Sequence, residues 1–466
     1  MPPASVLSAS ALSENVTEDS GVASGLALLS RQALADAQSE AGPVVPPAPE
    51  TLEDTGLAAS VLQQLILKMF YQQGEMLGRE LSEKMGLKFS LIEGVIDLFK
   101  HQRFLEAKKS LGMGNSTVLF ALTDTGRKQA REYMDSNQYT GPAPVPLHQY
   151  THLVRRQRRA DGWLTPEALR HTYRRMVVTP RTLAQIGPAV SSGNSFLIYG
   201  QPGNGKTFLA EALINVDDSC VYVPHALDCQ GTIVQVYDPL YHQPVDDAEE
   251  QSVFATGPQH DRRWIKCRRP FIVTGGELTL EMLDLNYNST SKVYDAPYQL
   301  KANNGIYLID DFGRQQCTPA EVLNRWIVPM ERRVDYLKFN SGGKITVPFE
   351  AFLIFSTNLN PEQLGDEAFL RRIQYKMLLR SPDEREFVTI FQRFCESRSL
   401  PHHDGLIARF IEKHYRKVQR PFRRCHPRDV LSHAIDLINF EKLPFQLTDD
   451  LMDRAFESCF LEETGD

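Results

Sequence analysis

No run in this chain approaches the ~18 consecutive apolar residues that a membrane-spanning helix needs. The first twenty residues, MPPASVLSASALSENVTEDS, lack both the basic start and the long apolar stretch of a secretory signal. Cysteine is sparse and unpatterned: seven residues, at 220, 229, 267, 317, 395, 425 and 459, with no CxxC pair. An odd, scattered set sets aside a disulfide scaffold and points to reduced thiols in a cytoplasmic protein. Positive charge is also lacking. Lys and Arg number 51 against 58 Asp and Glu, a net charge of −7, which excludes a general nucleic-acid coat while leaving room for a local basic patch. What remains is an ordinary soluble composition, 42% hydrophobic, over 466 residues, enough at about 150 per domain for roughly three domains.

The chain changes character along its length. Residues 1–51 are rich in Ala, Ser, Pro and acidic residues and read as a disordered acidic segment, with GLALLSRQALADAQ as a transient helix. Over 52–136 helical spacing sets in. Leu62, Leu65, Ile66 and Met69 mark one helix, residues 78–86 a second ended by Gly86, and Ser90 is expected to cap a third carrying Val95, Ile96 and Phe99. RFLEAKK and TVLFAL then alternate as a hairpin around LGMGNS, and Thr123 caps a closing helix. Three helices, a hairpin and a closing helix predict a small winged helix-turn-helix domain. GPAPVP at 141–146 reads as a Pro-rich extended spacer within a linker and approach segment over 137–165. An α/β core follows over 166–383, and helical periodicity returns over 384–466 as a lid.

The strongest motif is SFLIYGQPGNGKTFLAEAL. Gly200, Gln201, Pro202, Gly203, Asn204, Gly205, Lys206 and Thr207 fit GxxxxGK[ST], with an apolar strand before and a helix containing Phe208 after. Glycines let backbone N–H groups close around phosphates. Lys206 suits the β- and γ-phosphates of ATP, and the Thr207 hydroxyl suits Mg²⁺. The bland alternative, a chance Gly-rich turn, does not explain the strand and helix in register. The second motif is GIYLIDDFGR, an apolar run of the kind found in buried parallel strands, ending in Asp310 and Asp311. Asp310 suits the Mg²⁺ hydration shell and Asp311 the attacking water.

With both motifs in order, residues 165–460 resemble the AAA+ ATPases. By that resemblance, 200–207 is the Walker A loop and LIDDFG the Walker B strand. FLIFSTNLNP is similar to the sensor 1 strand and puts Asn358 near the γ-phosphate. DEAFLRRIQYKM resembles the arginine-finger segment, with Arg372 as the finger and Arg371 as its rival. CHPRDVL resembles sensor 2, making Arg428 a nucleotide contact. Each alone has a plain reading: a turn cap at Asn358, a solvated face at Arg371 and Arg372, a helix start at Arg428. Many AAA+ proteins carry Glu where Asp311 stands, and the shorter side chain implies looser water positioning and slower turnover. An arginine finger given to a neighbour implies a ring, and the family implies a homo-hexamer.

The long stretch between Lys206 and Asp310 is similar to AAA+ branches with an insert in the second helix, including MoxR-like proteins and bacterial enhancer-binding activators, although the activators' GAFTGA motif is absent. Leu285, Tyr287 and Tyr294 are the apolar candidates for a pore loop, against packing on the domain's own surface. ERRVDYLKFNSGGKITVPFE reads as a hairpin tipped by residues 340–343, in the place of a pre-sensor 1 hairpin. Two basic clusters, RRQRR at 155–159 and RRWIKCRR at 262–269, are candidates for nucleic acid, the second through Trp264 stacking on bases, against a solvated edge or an intersubunit contact. Glu93 and Asp97 lie on one face of the would-be recognition helix and repel phosphate, so the winged helix is expected to dock protein. The expectation is therefore an ATP- and Mg²⁺-dependent cytoplasmic AAA+ ring that remodels a protein client. The alternatives are a DNA-associated ATPase or a slow nucleotide switch.

Overall fold

Leu62, Leu65, Ile66 and Met69 all face inward from the first long helix, α1 (Ala59–Gln73), in a computed structural model that describes residues 44–160, 162–245, 260–365 and 367–460. The chain divides into two units, Met1–Val44 and Val45–Asp466. The expected disorder and transient helix within 1–43 lie outside the described residues, and everything below concerns the second unit.

After α1 come β1 (Glu75–Leu77), α2 (Gly78–Met85) and α3 (Phe89–His101). Gly86 ends α2 in the left-handed conformation, as expected. Ser90 is not a cap. Lys88 occupies that position and makes no side-chain cap, because the helix starts at Phe89, one residue before the serine. β2 (Leu105–Ser110) and β3 (Val118–Leu122) pair antiparallel, and β1 adds to β3. Thr123 caps α4 (Asp124–Ser136) by accepting the Gly126 N–H at 3.1 Å. Gly126 is required there, since a Cβ would fall 2.1 Å from the Phe104 carbonyl oxygen.

The next segment differs from the expected spacer. β4 (Val145–Pro146) pairs parallel with a strand of the insert described below, and Ala143 and Val145 are fully buried. Residues 46–51 also depart from expected disorder: the Asp261 N–H donates to the Pro46 carbonyl and Pro47 bridges to His260. Then follow α5 (Leu147–Arg156), α6 (Pro166–Thr172) and α7 (Pro180–Ser192). The last two each open with Thr-Pro. Thr165 and Thr179 accept the N–H three residues on, while proline occupies a position that needs no donor.

The core mixes strands and helices: β5 (Ser195–Tyr199), α8 (Lys206–Glu211), β6 (Cys220–Pro224), β7 (Ala226–Cys229), β8 (Thr232–Gln235), β9 (Trp264–Arg268), β10 (Phe271–Thr274), β11 (Asn286–Asn288), β12 (Val293–Asp295), α9 (Tyr298–Lys301) and β13 (Ile306–Ile309). It continues through α10 (Pro319–Arg325), α11 (Ile327–Arg332), β14 (Val334–Lys338), β15 (Lys344–Pro348), β16 (Phe352–Thr357), α12 (Pro361–Leu364), α13 (Glu367–Leu370) and β17 (Tyr375–Leu378). The central sheet is all parallel, in the order β10-β13-β16-β5-β17. Its three inner strands, β13, β16 and β5, are buried on both sides. Leu197, Tyr307 and Phe355 enter one core while Phe196, Leu308 and Ile354 enter the other, the period-two alternation of a covered sheet.

A second sheet, β11-β12-β8-β7-β4, is built from four strands of the long insert and the upstream β4. It docks the first helices: Ala226, Ile233 and Val293 share one apolar cluster with Ile66, Phe70 and Phe99. Arg263 locks this joint. Its guanidinium is 1% exposed, pairs with Asp261 at 2.8 Å, and also donates to the carbonyls of Thr55 and Pro144 and to Gln149 Oε1. The described residues end in four α-helices, α14 (Glu384–Ser397), α15 (Asp404–Ile411), α16 (His426–Glu441) and α17 (Asp449–Cys459), with a π-helical turn, Glu412–Arg416, continuing α15. They surround their own core of Phe387, Phe391, Phe410, Leu431 and Phe456. Among the described residues, no helix is long and apolar enough to cross a membrane.

Candidate nucleotide-binding site

The loop 200–205 leaves the carboxyl end of β5, at the edge where ligands bind in open parallel sheets. Two glycines are fixed by close approach. A Cβ on Gly200 would lie 2.4 Å from the Leu379 carbonyl oxygen, and one on Gly203 would lie 2.7 Å from Cys425 Sγ, with φ of +145° and +79°. Gly205 precedes α8, whose first two residues are Lys206 and Thr207.

Lys206 is 6% exposed and folds back over its own loop. Its Nζ donates to the carbonyls of Gly200 at 3.0 Å and Gln201 at 3.2 Å, and to Asn358 Oδ1 at 2.5 Å. Burial lowers its pKa, against the pull of Asp311 and Asp310, which raises it. Asn358, at the end of β16, uses its other end to donate from Nδ2 to Asp311 Oδ1 at 2.9 Å. One amide thus links the loop lysine to the second aspartate. The Thr207 hydroxyl lies 2.9 Å from both carboxylate oxygens of Asp310. Thr207 Oγ1 with one carboxylate is a hard-oxygen set that suits Mg²⁺, which takes one or two carboxylates and completes its shell with water and phosphate. Asp311 is exposed and holds φ at +47°, a left-handed turn that aims its carboxylate away from the strand toward Asn358. Gln315 braces this turn, donating to the Asp310 carbonyl at 2.9 Å and accepting the Gly313 N–H at 2.7 Å.

The remaining sequence candidates fall in different places. Phe208 is 63% exposed, and Gln201, Pro202 and Gly203 are also open to solvent. Arg372 lies just before β17, and its carbonyl accepts from Ser195 Oγ at the amino end of β5; its side chain pairs with Glu331 at 3.0 Å. That is the end of the sheet opposite the phosphate loop, so Arg372 stands across the strand from its own site. Arg371 is exposed. Arg428, near the start of α16, is 66% exposed along its side chain and pairs with its neighbour Asp429 at 2.8 Å.

The C-terminal helices meet the loop through residues that the sequence motifs did not single out. The Cys425 N–H donates to the Gly203 carbonyl at 2.9 Å. Ser381 Oγ accepts from Arg423 Nη1 at 2.6 Å and from Asn204 Nδ2 at 3.2 Å. Arg423 stands two residues before Cys425, so the run RRCHPRD held the signal, but spacing alone did not say which arginine turns inward.

Two expectations from the insert are corrected. Leu285 and Tyr294 are 7% and 6% exposed; Tyr294 packs against Tyr287 and Phe339, and its hydroxyl accepts the Asn340 N–H. They pack on the domain rather than offering a pore loop. Trp264 is 3% exposed and stacks on Tyr150, so it has no face for a base. The hairpin β14-β15 forms as expected, in register from Val334↔Pro348 to Lys338↔Lys344.

Residues 383–458, which span the C-terminal helices, match the family model of a domain of unknown function, DUF8689. No curated protein matches the chain. Among solved structures, NtrX from Brucella abortus in complex with ATP is similar at 16% identity, over 65% of this chain and 58% of that one, with a TM-score of 0.34. The ADP complex of NtrX gives 16% identity, 61% and 52% coverage, and 0.35. A point mutant of Thermotoga maritima RuvB gives 15% identity, 64% and 71% coverage, and 0.34. The chain thus spans between half and three-fifths of the length of these NtrX chains.

Proposed function

We propose that this chain is an ATP-hydrolysing AAA+ protein that assembles into a ring and uses ATP turnover to remodel a protein client. The observation that carries the reading is the pair of contacts at the carboxyl edge of the parallel sheet, Lys206–Asn358–Asp311 beside Thr207–Asp310. In this reading the glycine-rich loop, through Phe208, wraps the phosphates of ATP. Lys206 leaves its loop carbonyls for the β- and γ-phosphates, and Asn358 follows the γ-phosphate. Thr207 and Asp310 hold Mg²⁺, which when bound neutralises charge on the phosphate oxygens. Asp311 orients a water whose oxygen forms a bond to the γ-phosphorus. The bond to the β–γ bridging oxygen breaks with its electron pair leaving on ADP, and the water's proton passes to Asp311 and on to solvent.

Arg372 serves a neighbouring copy. Its place at the far end of β5 supports action in trans, where a cation stabilises charge developing at the γ-phosphate. Arg428 completes the site from the lid, once ATP draws it from Asp429. The domain division proposed is a winged helix over 52–136, a linker to 165, an AAA+ core over 166–383 and a lid over 384–466. Glu93 and Asp97 on α3 favour a protein partner for the winged helix, and the burial of Trp264 and Arg263 removes the main support for nucleic acid.

The test is capture of the client. Asp311→Asn is expected to hold ATP while slowing hydrolysis, and Lys206→Ala to lose ATP. A protein enriched on Asp311→Asn over Lys206→Ala, and resistant to nuclease, supports the remodelling reading. Enrichment of nuclease-sensitive nucleic acid replaces it with the DNA-associated one. Tight ATP binding with negligible turnover by the assembled wild type replaces it with the nucleotide switch.

A further inference from the structure

The two basic runs, about a hundred residues apart in sequence, converge in space. Arg159 and Arg269 share one carboxylate, Asp217, at 2.9 and 3.2 Å. Arg158 and Arg333 join them around a cleft of about 80 Å³, several times what a single water needs. The cleft is walled by Gly305 before β13, Phe352 at the start of β16 and Gly193 before β5. It therefore opens at the amino ends of the central strands, on the opposite edge from the phosphate loop.

Four arginines line this space, and among the described residues the carboxylates paired with them are Asp217 and Glu350. The cations are not all at the surface. The side chains of Arg159 and Arg269 are 15% and 12% exposed. Burial lowers the pKa of Arg159, Arg269 and Arg333, and for Arg269 the nearby Arg159 adds to it. Buried like charge of this kind is costly unless an opposite charge joins it. Arg269 is spent on structure, with Ser219 Oγ and the carbonyls of Asn304 and Gln157 as acceptors. Arg159 uses Nε on Asp217, and Arg333 uses Nη2 on Gly193 and Asn194, so the remaining N–H groups of both are left for the cleft. Arg158 stands at the mouth, 56% exposed, with Nε 4.0 Å from Glu350.

We infer that this cleft is a second anion site, which binds one phosphate-sized oxyanion between Arg158, Arg159 and Arg333. The ligand chemistry is a phosphate dianion, free or as the headgroup of a small phosphomonoester. The volume takes the headgroup and leaves any remainder outside. Because Arg158 and Arg159 belong to the segment after α5, while Arg269 and Arg333 belong to the core, a bound anion clamps the first part of the unit to the sheet.

A tryptophan reports on the cleft. Trp163 lines it, with the Arg159 guanidinium 4.1 Å from its ring, while Trp264 and Trp326 are buried at 3% and 0% exposure. The experiment titrates the full chain with inorganic phosphate, and separately with glycerol 3-phosphate, against chloride at equal ionic strength, reading Trp163 fluorescence and binding heat. The Lys206→Ala variant separates any binding at the phosphate loop. Saturable binding is expected to persist in Lys206→Ala and to weaken at least about tenfold in Arg158→Gln, which removes one charged donor. Arg158→Glu is expected to abolish it. Because Arg158 is at the surface, both variants fold. Tighter binding of glycerol 3-phosphate than of phosphate identifies the ester as the source, and the reverse identifies the free ion. Binding that vanishes in Lys206→Ala and ignores Arg158→Gln overturns the inference. So does an absence of saturation by either phosphate while a single-stranded oligonucleotide binds through Arg158.

Discussion

Replacing Arg263 by alanine tests whether the second basic run is structural. The side chain is 2% exposed and that of its partner Asp261 is 3% exposed. Arg263→Ala removes a forked ion pair with Asp261 and the donors to Thr55, Pro144 and Gln149. It leaves Asp261 as an uncompensated buried carboxylate. Breaking a buried pair in this way costs about 3–5 kcal/mol. The loss falls on the joint between the first helices and the insert sheet, so denaturant unfolding followed by circular dichroism is expected to shift to lower midpoint or split into two transitions. Charge reversal of the pair does not rescue it, because the carbonyl acceptors still face the site. An apolar pair of similar size, Arg263→Met with Asp261→Leu, is expected to recover part of the loss. A change below about 1 kcal/mol in Arg263→Ala, in the range of an exposed ion pair, would refute the reasoning.

Arg372→Ala is expected to bind ATP normally and hydrolyse it at least about a hundredfold more slowly, the range seen on removing an electrostatic stabiliser of a transition state. Mixing it with Lys206→Ala is expected to restore part of the turnover, measured as phosphate release, because a Lys206→Ala copy still offers its Arg372 to the intact phosphate loop of an Arg372→Ala neighbour. Chelating Mg²⁺ with EDTA is expected to abolish turnover, and phosphate release that persists counts against the roles of Thr207 and Asp310. Gly203→Ala is expected to weaken ATP binding by fluorescent-nucleotide titration, since its Cβ collides with Cys425 Sγ at 2.7 Å. His225 and His426 have pKa values pushed down to about 4 by burial. As pH falls below about 6.5 the unfolded chain takes up protons that the folded histidines refuse, so stability falls between pH 6.5 and 4. Melting temperatures across that window check the sign, and His426→Gln is expected to flatten the fall.

What could be read from the sequence was contiguous. The strand, the loop 200–207 and the helix after it form one uninterrupted motif, and the apolar runs of β5, β13 and β16 announce strands buried on both faces. The coupling inside the site was less visible. Lys206, Asp311 and Asn358 meet only because β5, β13 and β16 are neighbours in the sheet. The contacts of Cys425 and Arg423 with the loop depend on how α16 is laid against it, which periodicity does not encode. The basic runs misled for a physical reason. Charge in a sequence says nothing of burial, and Arg263 and Trp264 are interior because Asp261, several carbonyls and Tyr150 surround them. A missed signal was legible: Thr-Pro opens helices at 165, 179 and 318, each with the threonine capping the N–H three residues on. The two-residue strand Val145–Pro146 was not, since Pro-rich composition describes a free spacer and a packed one alike.

Steady-state ATP turnover by the purified full chain, with Mg²⁺ and over a range of protein concentrations, tests the central claim most directly. The account predicts phosphate release that rises more than in proportion to protein concentration as copies assemble, and that is lost in both Lys206→Ala and Asp311→Asn. Release that is unchanged in Lys206→Ala, or strictly proportional to protein concentration and indifferent to Arg372→Ala, would contradict it.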